Sequence, residues 1–334
     1  MKISVRVRYA DPTKLGDLLR AAEDVGLHGL WVSEPWGYDA GAVLGWCAAN
    51  SRRVLLGTHI VSIFARSPAS TAGMAASLWT LSGGRFRLGL GTSGPGVVEA
   101  WSGVRFVKPV ARTRDTVNVI RQVLSGQMVS YRGETLTLPL AGSGRRPLRF
   151  AQLAEPIPVP IYLGALGPRN QALTAELADG WTPTPYSPDH HALFAAPLST
   201  AIAESGRDVK IAPVVPIAIG DDLPAMFALE RRWSAFYLGA MGDFYAKAVA
   251  RMGFGRMVAD VRQRWSTGDR GGAGSALEDE YLDSIGLFGS VERVAQRLRR
   301  YEAAGVDEVV LELRKRDHRD QLDDLRTMAK VLSA

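Results

Sequence analysis

A single cysteine, Cys47, stands among 334 residues, so no internal disulfide can form and a reducing, cytoplasmic setting is expected. Its apolar helical surroundings suggest a packing role. No apolar run is long enough to cross a bilayer. The N-terminus enters strand-like Ile3-Ser-Val-Arg-Val-Arg-Tyr9 directly, and no signal peptide is expected. No His, Cys, Asp or Glu grouping has metal-ligand spacing, so no metal is expected. A G-x-S-x-G nucleophile elbow is also missing. The cationic surplus is modest, at +6. Its densest clusters, Arg297-x-Arg299-Arg300 and Arg314-Lys-Arg316, are interspersed with acids and read as solvated faces. A nucleic-acid surface would concentrate its cations and interleave aromatics, so neither nucleic acid nor membrane is expected as a partner. The small surplus suits an anionic ligand instead. With 46% hydrophobic and 22% charged residues, the chain is globular and long enough for one large domain.

Short β-type runs alternate with helical ones. Strand positions are expected at Ile3–Tyr9, Gly29–Ser33, Val54–Ser62, Phe86–Gly91, Val159–Leu163, from Trp181 to Thr184, Ile211–Ile219 and Glu308–Leu313. Helical spacing of Leu15, Leu18, Leu19 and Ala22, with Gly26 as a stop, exemplifies the segments between them. Eight such units favour a single (β/α)8 TIM barrel over residues 1–334. Two insertions are expected: a β-hairpin within 126–158, before strand five, and a helical lid or oligomer surface within 221–285, after strand seven. Arg270-Gly-Gly-Ala-Gly-Ser275 reads as its most flexible stretch.

A parallel barrel carries its chemistry at the C-terminal ends of its strands. Five segments share that rim: Ser33-Glu34-Pro35-Trp36, His59–Arg66, Thr92–Trp101, Ala165-Leu-Gly-Pro168 and Thr182-Pro-Thr-Pro-Tyr186. Gly89-x-Gly91-x-x-Gly94 fits the dinucleotide fingerprint, with Asp115 near the expected acidic position. Pro95-Gly96 follows at once, however, and Asp115 lies inside a helical pattern, so the tight-turn reading is preferred. Ala165–Pro168 opens a helix, where main-chain N–H groups and the helix dipole favour a phosphate.

These segments together resemble the bacterial luciferase-like superfamily, in its branch using the deazaflavin coenzyme F420. The likeness is carried by Leu30-Trp-Val-Ser-Glu-Pro-Trp-Gly37, Leu56-Gly-Thr-His-Ile-Val-Ser-Ile-Phe-Ala-Arg66, Leu81-Ser-Gly-Gly-Arg-Phe86 and Gly91-Thr-Ser-Gly-Pro-Gly-Val-Val-Glu-Ala-Trp101. It continues through Pro109–Arg114, Ile161–Pro168, Ala178–Trp181, Leu238–Gly242 and Ala304–Val306. After Gly242 relatives usually insert a few residues, whereas here Asp243-Phe244 follows directly. The resemblance implies a (β/α)8 barrel with insertions, a cytoplasmic enzyme, a homodimer and a small-molecule substrate.

It further implies a cofactor cradle of His59, Ile60, Val61, Thr92, Ser93, Gly94, Ala165, Leu166, Gly167 and Thr184. A non-prolyl cis peptide is implied at His59–Ile60, against the ring. The reaction centre would be lined by Glu34, Trp36, His59 and Glu99, with Pro35 where relatives often have histidine. Each role has a plainer rival: a Glu34–Arg66 salt bridge, His59 as a core histidine with a backbone partner, Glu99 complementing a helix start, and Trp101 as packing. Three functions follow in order of preference. The first is hydride transfer between F420 and an organic substrate, the second an FMN-dependent monooxygenase, and the third a non-catalytic binding barrel.

Overall fold

A computed structural model describes residues 1–8 and 11–333, Ser333 without its side chain. Tyr9, expected to end strand one, and Ala334, at the end of the expected barrel, lie outside the described residues. Parallel strands run through Lys2–Val7, Gly29–Val32, Leu55–Thr58, Phe86–Gly91, Ile161–Leu163, Gly180–Trp181, Lys210–Ile211 with Val214–Ile219, and Glu308–Leu313. Lys210–Ile211 pairs with Gly180–Trp181, and Val214–Ile219 pairs with Glu308–Leu313, which in turn pairs with Lys2–Val7. Together these pairings close the sheet into a (β/α)8 barrel. Pro213 splits the seventh strand because it has no N–H for the ladder. The third strand is interrupted at the cis His59–Ile60 peptide and resumes at Val61–Ser62, beside Leu90 and Gly91.

Strand alternation sorts the interior. In Lys2–Val7 the apolar Ile3, Val5 and Val7 pack outward under the helices, while Ser4 and Arg6 are buried on the barrel's inner side. Register pairs Ser4 with Val310 and Arg6 with Glu312. Lower in the interior, Glu308 accepts from Ser4 Oγ (2.5 Å), Trp31 Nε1 (3.0 Å) and Arg87 Nη1 (2.7 Å). Polar groups thus line part of the barrel lumen, beside a buried cluster of Trp31, Tyr162, Ala212, Val214 and Val310, and its mouth lies at the opposite end.

Asp11 caps the helix Pro12–Val25 by accepting from Thr13 N (3.0 Å), and Gly26 ends it at φ 77°. Between the fourth and fifth strands, Tyr131–Arg132 pairs antiparallel with Thr137–Leu138. Asp115 anchors this ribbon, accepting from Tyr131 Oη (2.8 Å), Thr135 Oγ1 (2.7 Å) and the N–H groups of Thr135 and Leu136. The acid that mimicked a ribose ligand in the sequence therefore fastens a hairpin.

One strand was not expected, and two expectations need correction. Leu287–Gly289 forms a short strand beside Ile217–Ile219; three residues are too few for an alternation signal. Arg270–Ser275 is a helix, because Asp269 accepts from Gly272 N (2.7 Å) and Arg231 Nη1 donates to the Gly274 carbonyl (3.2 Å). The two basic clusters are not wholly solvated: Arg297 and Arg314 are buried, each on carboxylates. Between the seventh strand and Leu287, helices Leu223–Ala240, Asp243–Val249, Gly255–Ser266, Arg270–Ser275 and Asp279–Ile285 stand over one side of the barrel mouth.

Candidate functional site

One crevice of about 380 Å³ opens at the C-terminal rim. It brings together Glu34, Trp36, His59, Ile60, Thr92, Ser93, Leu166, Gly167 and Thr184. The remaining candidates lie elsewhere. Val61 is buried in its strand pairing, and Ala165 is buried with its carbonyl accepting from Trp181 Nε1 (2.7 Å). Gly94 is the N-cap of the short helix Pro95–Trp101. Glu99 sits on the exposed side of that helix, whose buried residue is Val98, and accepts from Phe106 N at 3.1 Å. It ties down the following loop and does not line the crevice. Trp101 is exposed and packs as neither wall nor core.

One end of the crevice is made of main chain. The helix Pro168–Leu177 begins at Gly167 with no side-chain cap, so its first N–H groups and positive dipole end are presented beside Leu166, Gly167 and Thr184. Pro168 at the first helical position removes one donor that would have been orphaned anyway. Across from it, the Gly91–Gly94 turn holds Ser93 at φ 56°, a left-handed conformation uncommon outside glycine. Between these loops lies Ile60. A Cβ at Gly91 would stand 3.0 Å from the Ile60 side chain, and one at Gly164 would stand 3.3 Å from it. Two glycines therefore keep the surface around Ile60 low and open.

His59 is buried under this wall. Arg6 Nη1 lies 3.0 Å from His59 Nδ1. A guanidinium can only donate, so Nδ1 accepts and Nε2 carries the proton, which it donates to the Thr182 carbonyl at 3.3 Å. Burial, and then the Arg6 charge, pull the imidazole down to about 3. It is a neutral strut with a fixed tautomer, the core-histidine alternative. Glu34 likewise takes its plainer alternative: both oxygens accept from Arg66, one at 2.7 Å, and Oε2 also accepts from Ala40 N at 2.8 Å. Three donors thus occupy both oxygens and hold the Glu34 side chain in place. Arg66 reaches on to Asp39, which caps the helix Ala40–Asn50.

Behind the crevice wall at Arg6 and Arg8 lies a cluster of charged side chains, of which only Arg314 was named from the sequence, as part of a solvated face. Arg6 and Arg8 both form ion pairs with Glu312 Oε1, and Arg314 Nη1 forms one with Oε2 at 2.7 Å. Arg314 Nε donates to Glu230, whose other oxygen accepts from Ser234 Oγ at 2.7 Å. Arg6, Arg314, Glu230 and Glu312 are buried, and the Arg8 guanidinium lies 3.9 Å over the Trp233 ring. Tyr237, Met241, Phe244 and Tyr245, from the helices Leu223–Ala240 and Asp243–Val249 and the turn between them, close this end. The only signal in the sequence was Arg6 and Arg8 at alternate positions of a strand, with acid and base alternating again at Glu312 and Arg314.

Fold and crevice define a barrel protein that takes a ligand at its C-terminal rim. The luciferase-like monooxygenase family pattern matches residues 3–308, and the chain belongs to that family. A Mycobacterium tuberculosis protein named as a coenzyme F420-dependent oxidoreductase is 37% identical over 328 residues, covering 93% of this chain and 94% of its own length. The 5,10-methylenetetrahydromethanopterin reductase of Archaeoglobus fulgidus is 28% identical over 301 residues, 87% of each chain. Among solved structures, the F420-dependent tetrahydromethanopterin reductase of Methanopyrus kandleri superposes with a TM-score of 0.81 at 22% identity, covering 98% of this chain and 97% of its own. An F420-dependent secondary alcohol dehydrogenase gives 0.75 at 18% identity, covering 99% and 98%. At these identities the structural likeness speaks for the fold.

Proposed function

We propose that the chain is a coenzyme F420-dependent oxidoreductase that passes a hydride between the deazaflavin and a small organic substrate. The observation that carries it is the meeting, in one crevice, of an uncapped helix start, a glycine-flanked apolar wall and an enclosed space beyond them. The name of the 37% identical relative favours F420 over FMN. The residues fit such a group. The Leu166 and Gly167 amides and the Thr184 hydroxyl form a seat for a phosphate. Ile60, kept clear by Gly91 and Gly164, offers a flat apolar face to a ring system. Ser33 Oγ lines the same space, buried and without a hydrogen-bond partner among the described residues, as a group awaiting a ligand.

When bound, F420 supplies a ring carbon able to accept or donate a hydride. The protein's part is positional. His59 holds the third strand's end to Thr182 and Arg6, and the Glu34–Arg66 clamp fixes the loop that carries Trp36. The insertion's aromatic residues exclude water from the space beside Ile60. A homodimer belongs to the same proposal and is read by light scattering.

Titrating the purified protein with each cofactor, followed by tryptophan fluorescence, tests this reading. F420 is expected to bind at least about tenfold more tightly than FMN. Tight FMN binding with negligible F420 binding would instead select an oxygen-activating monooxygenase. F420 binding with no acceptor able to reoxidise the reduced coenzyme, across a panel of carbonyl and alkene compounds, would select a non-catalytic binding barrel.

A further inference from the structure

The charged cluster that meets the crevice at Arg6 and Arg8 has a fixed electrostatic imbalance. Three guanidinium groups, on Arg6, Arg8 and Arg314, face two carboxylates, Glu230 and Glu312. One positive charge is left over in a setting largely closed to water. Both Glu312 oxygens lie against guanidinium groups, Arg6 and Arg8 at one and Arg314 at the other, and Glu230 receives Arg314 and Ser234. The other charged groups on the crevice wall leave the surplus in place. Glu34 is matched by Arg66, and Arg169 is exposed at the far rim.

Arg8 is the member of the cluster that meets the cavity. Its side chain is 27% exposed, against 7% or less for Arg6, Arg314, Glu230 and Glu312, and it lines the crevice. Stacking on Trp233 fixes the plane of its guanidinium, so the fork is held ready with little rotamer freedom left to lose. Burial and then the neighbouring Arg6 pull Arg8 down to about 9; it remains charged at neutral pH, and an anion beside it would offset the Arg6 charge. The crevice that Arg8 enters is lined in part by the apolar or aromatic Trp36, Val110, Met241, Phe244 and Tyr245.

We propose that this end of the crevice is a carboxylate subsite, and that the substrate is a compound with an apolar, planar body whose carboxylate sits on Arg8. The proposal rests on the F420 reading only in that the body of such a compound would extend toward Ile60. Isothermal titration calorimetry with benzoate and its neutral isostere benzamide tests it, on the protein with and without F420. Benzoate is expected to bind at least about tenfold more tightly than benzamide, with the preference shrinking as potassium chloride is added. Arg8→Gln is expected to equalise the two probes while changing F420 affinity by less than about twofold, and Arg8→Lys to keep part of the preference. Equal or reversed affinities in the wild-type protein would overturn the proposal without recourse to any variant, as would an Arg8→Gln protein that still prefers benzoate. A benzoate preference in a protein that ignores F420 would sink the cofactor reading and leave the subsite standing. F420 binding without the preference would do the opposite.

Discussion

Where the helix Pro168–Leu177 begins, the crevice offers main-chain amides of Leu166 and Gly167, while at Arg6 and Arg8 it meets charged side chains, backed by Glu312, Arg314 and Glu230 around a smaller cavity. The first end is local. A loop, a proline and a helix within a few consecutive residues suffice to make it, and many side chains could replace Leu166 without removing its N–H. The second end joins two neighbouring strands to a helix of the insertion, across more than 300 residues of sequence. Each of its charges is tolerable only because the others are present. An amide cradle should therefore yield to substitution in small steps, and the ion cluster in large ones.

The sharpest break is expected at Glu312. Glu312→Gln leaves the buried Arg6 and Arg314 and the partly exposed Arg8 with one carboxylate, Glu230, which reaches only Arg314. Removing one partner of a buried network typically costs about 3–5 kcal/mol, to be read as a lowered urea midpoint with an unchanged slope. A loss under about 1 kcal/mol would mean that water already screens the cluster, and the contrast between the two ends would fail.

His59 sharpens the comparison because it touches the cluster through Arg6. Its folded-state value, about 3, lies below the ordinary 6.5. The unfolded chain therefore takes up the proton first as pH falls. The stability contributed by the neutral imidazole is intact above 6.5 and drains away between 6.5 and 3, by at most about 1.4 kcal/mol per pH unit. Gln can make the same two contacts without titrating. Between pH 6.5 and 5, His59→Gln should lose about 2 kcal/mol less than the wild type in parallel denaturation curves. Identical acid limbs would show that His59 opens to solvent. At the main-chain end the effect is smaller: Thr184→Val removes one hydroxyl and should raise the F420 dissociation constant about tenfold, with stability unchanged.

The same contrast governs what could be read from the amino-acid order. Barrel class, the eight strand positions and the five rim segments were visible because each depends on local alternation, glycine stops and proline starts, as at Gly26 and Pro168. Ile60, Leu166, Gly167 and Thr184, which line the crevice, were singled out by resemblance, on motifs that are themselves contiguous. Arg314 was read as solvated because nothing beside it in the chain announces Glu230, and Arg6 and Arg8 were passed over as ordinary strand residues. Partners made by long-range pairing leave no local pattern. Glu34 shows the intermediate case. Its rim position was legible, but its commitment to Arg66 depends on where the third strand's loop folds back.

Glu99 provides the smallest expected effect and the cleanest check on the geometry. Its rim segment follows a glycine-rich turn, which made it a candidate for the reaction centre. The helix Pro95–Trp101, however, buries Val98 and so turns the next residue outward, where Glu99 accepts from Phe106 N at 3.1 Å. Glu99→Gln keeps an oxygen for that N–H and removes only an exposed charge. Stability should stay within about 0.5 kcal/mol of the wild type, and turnover of reduced F420 should be unchanged. A loss of turnover of about tenfold or more, with the fold intact, would require the segment from Gly94 to Val107 to swing inward during the reaction. It would then place a side-chain carboxylate at the end of the crevice that this structure builds from main chain.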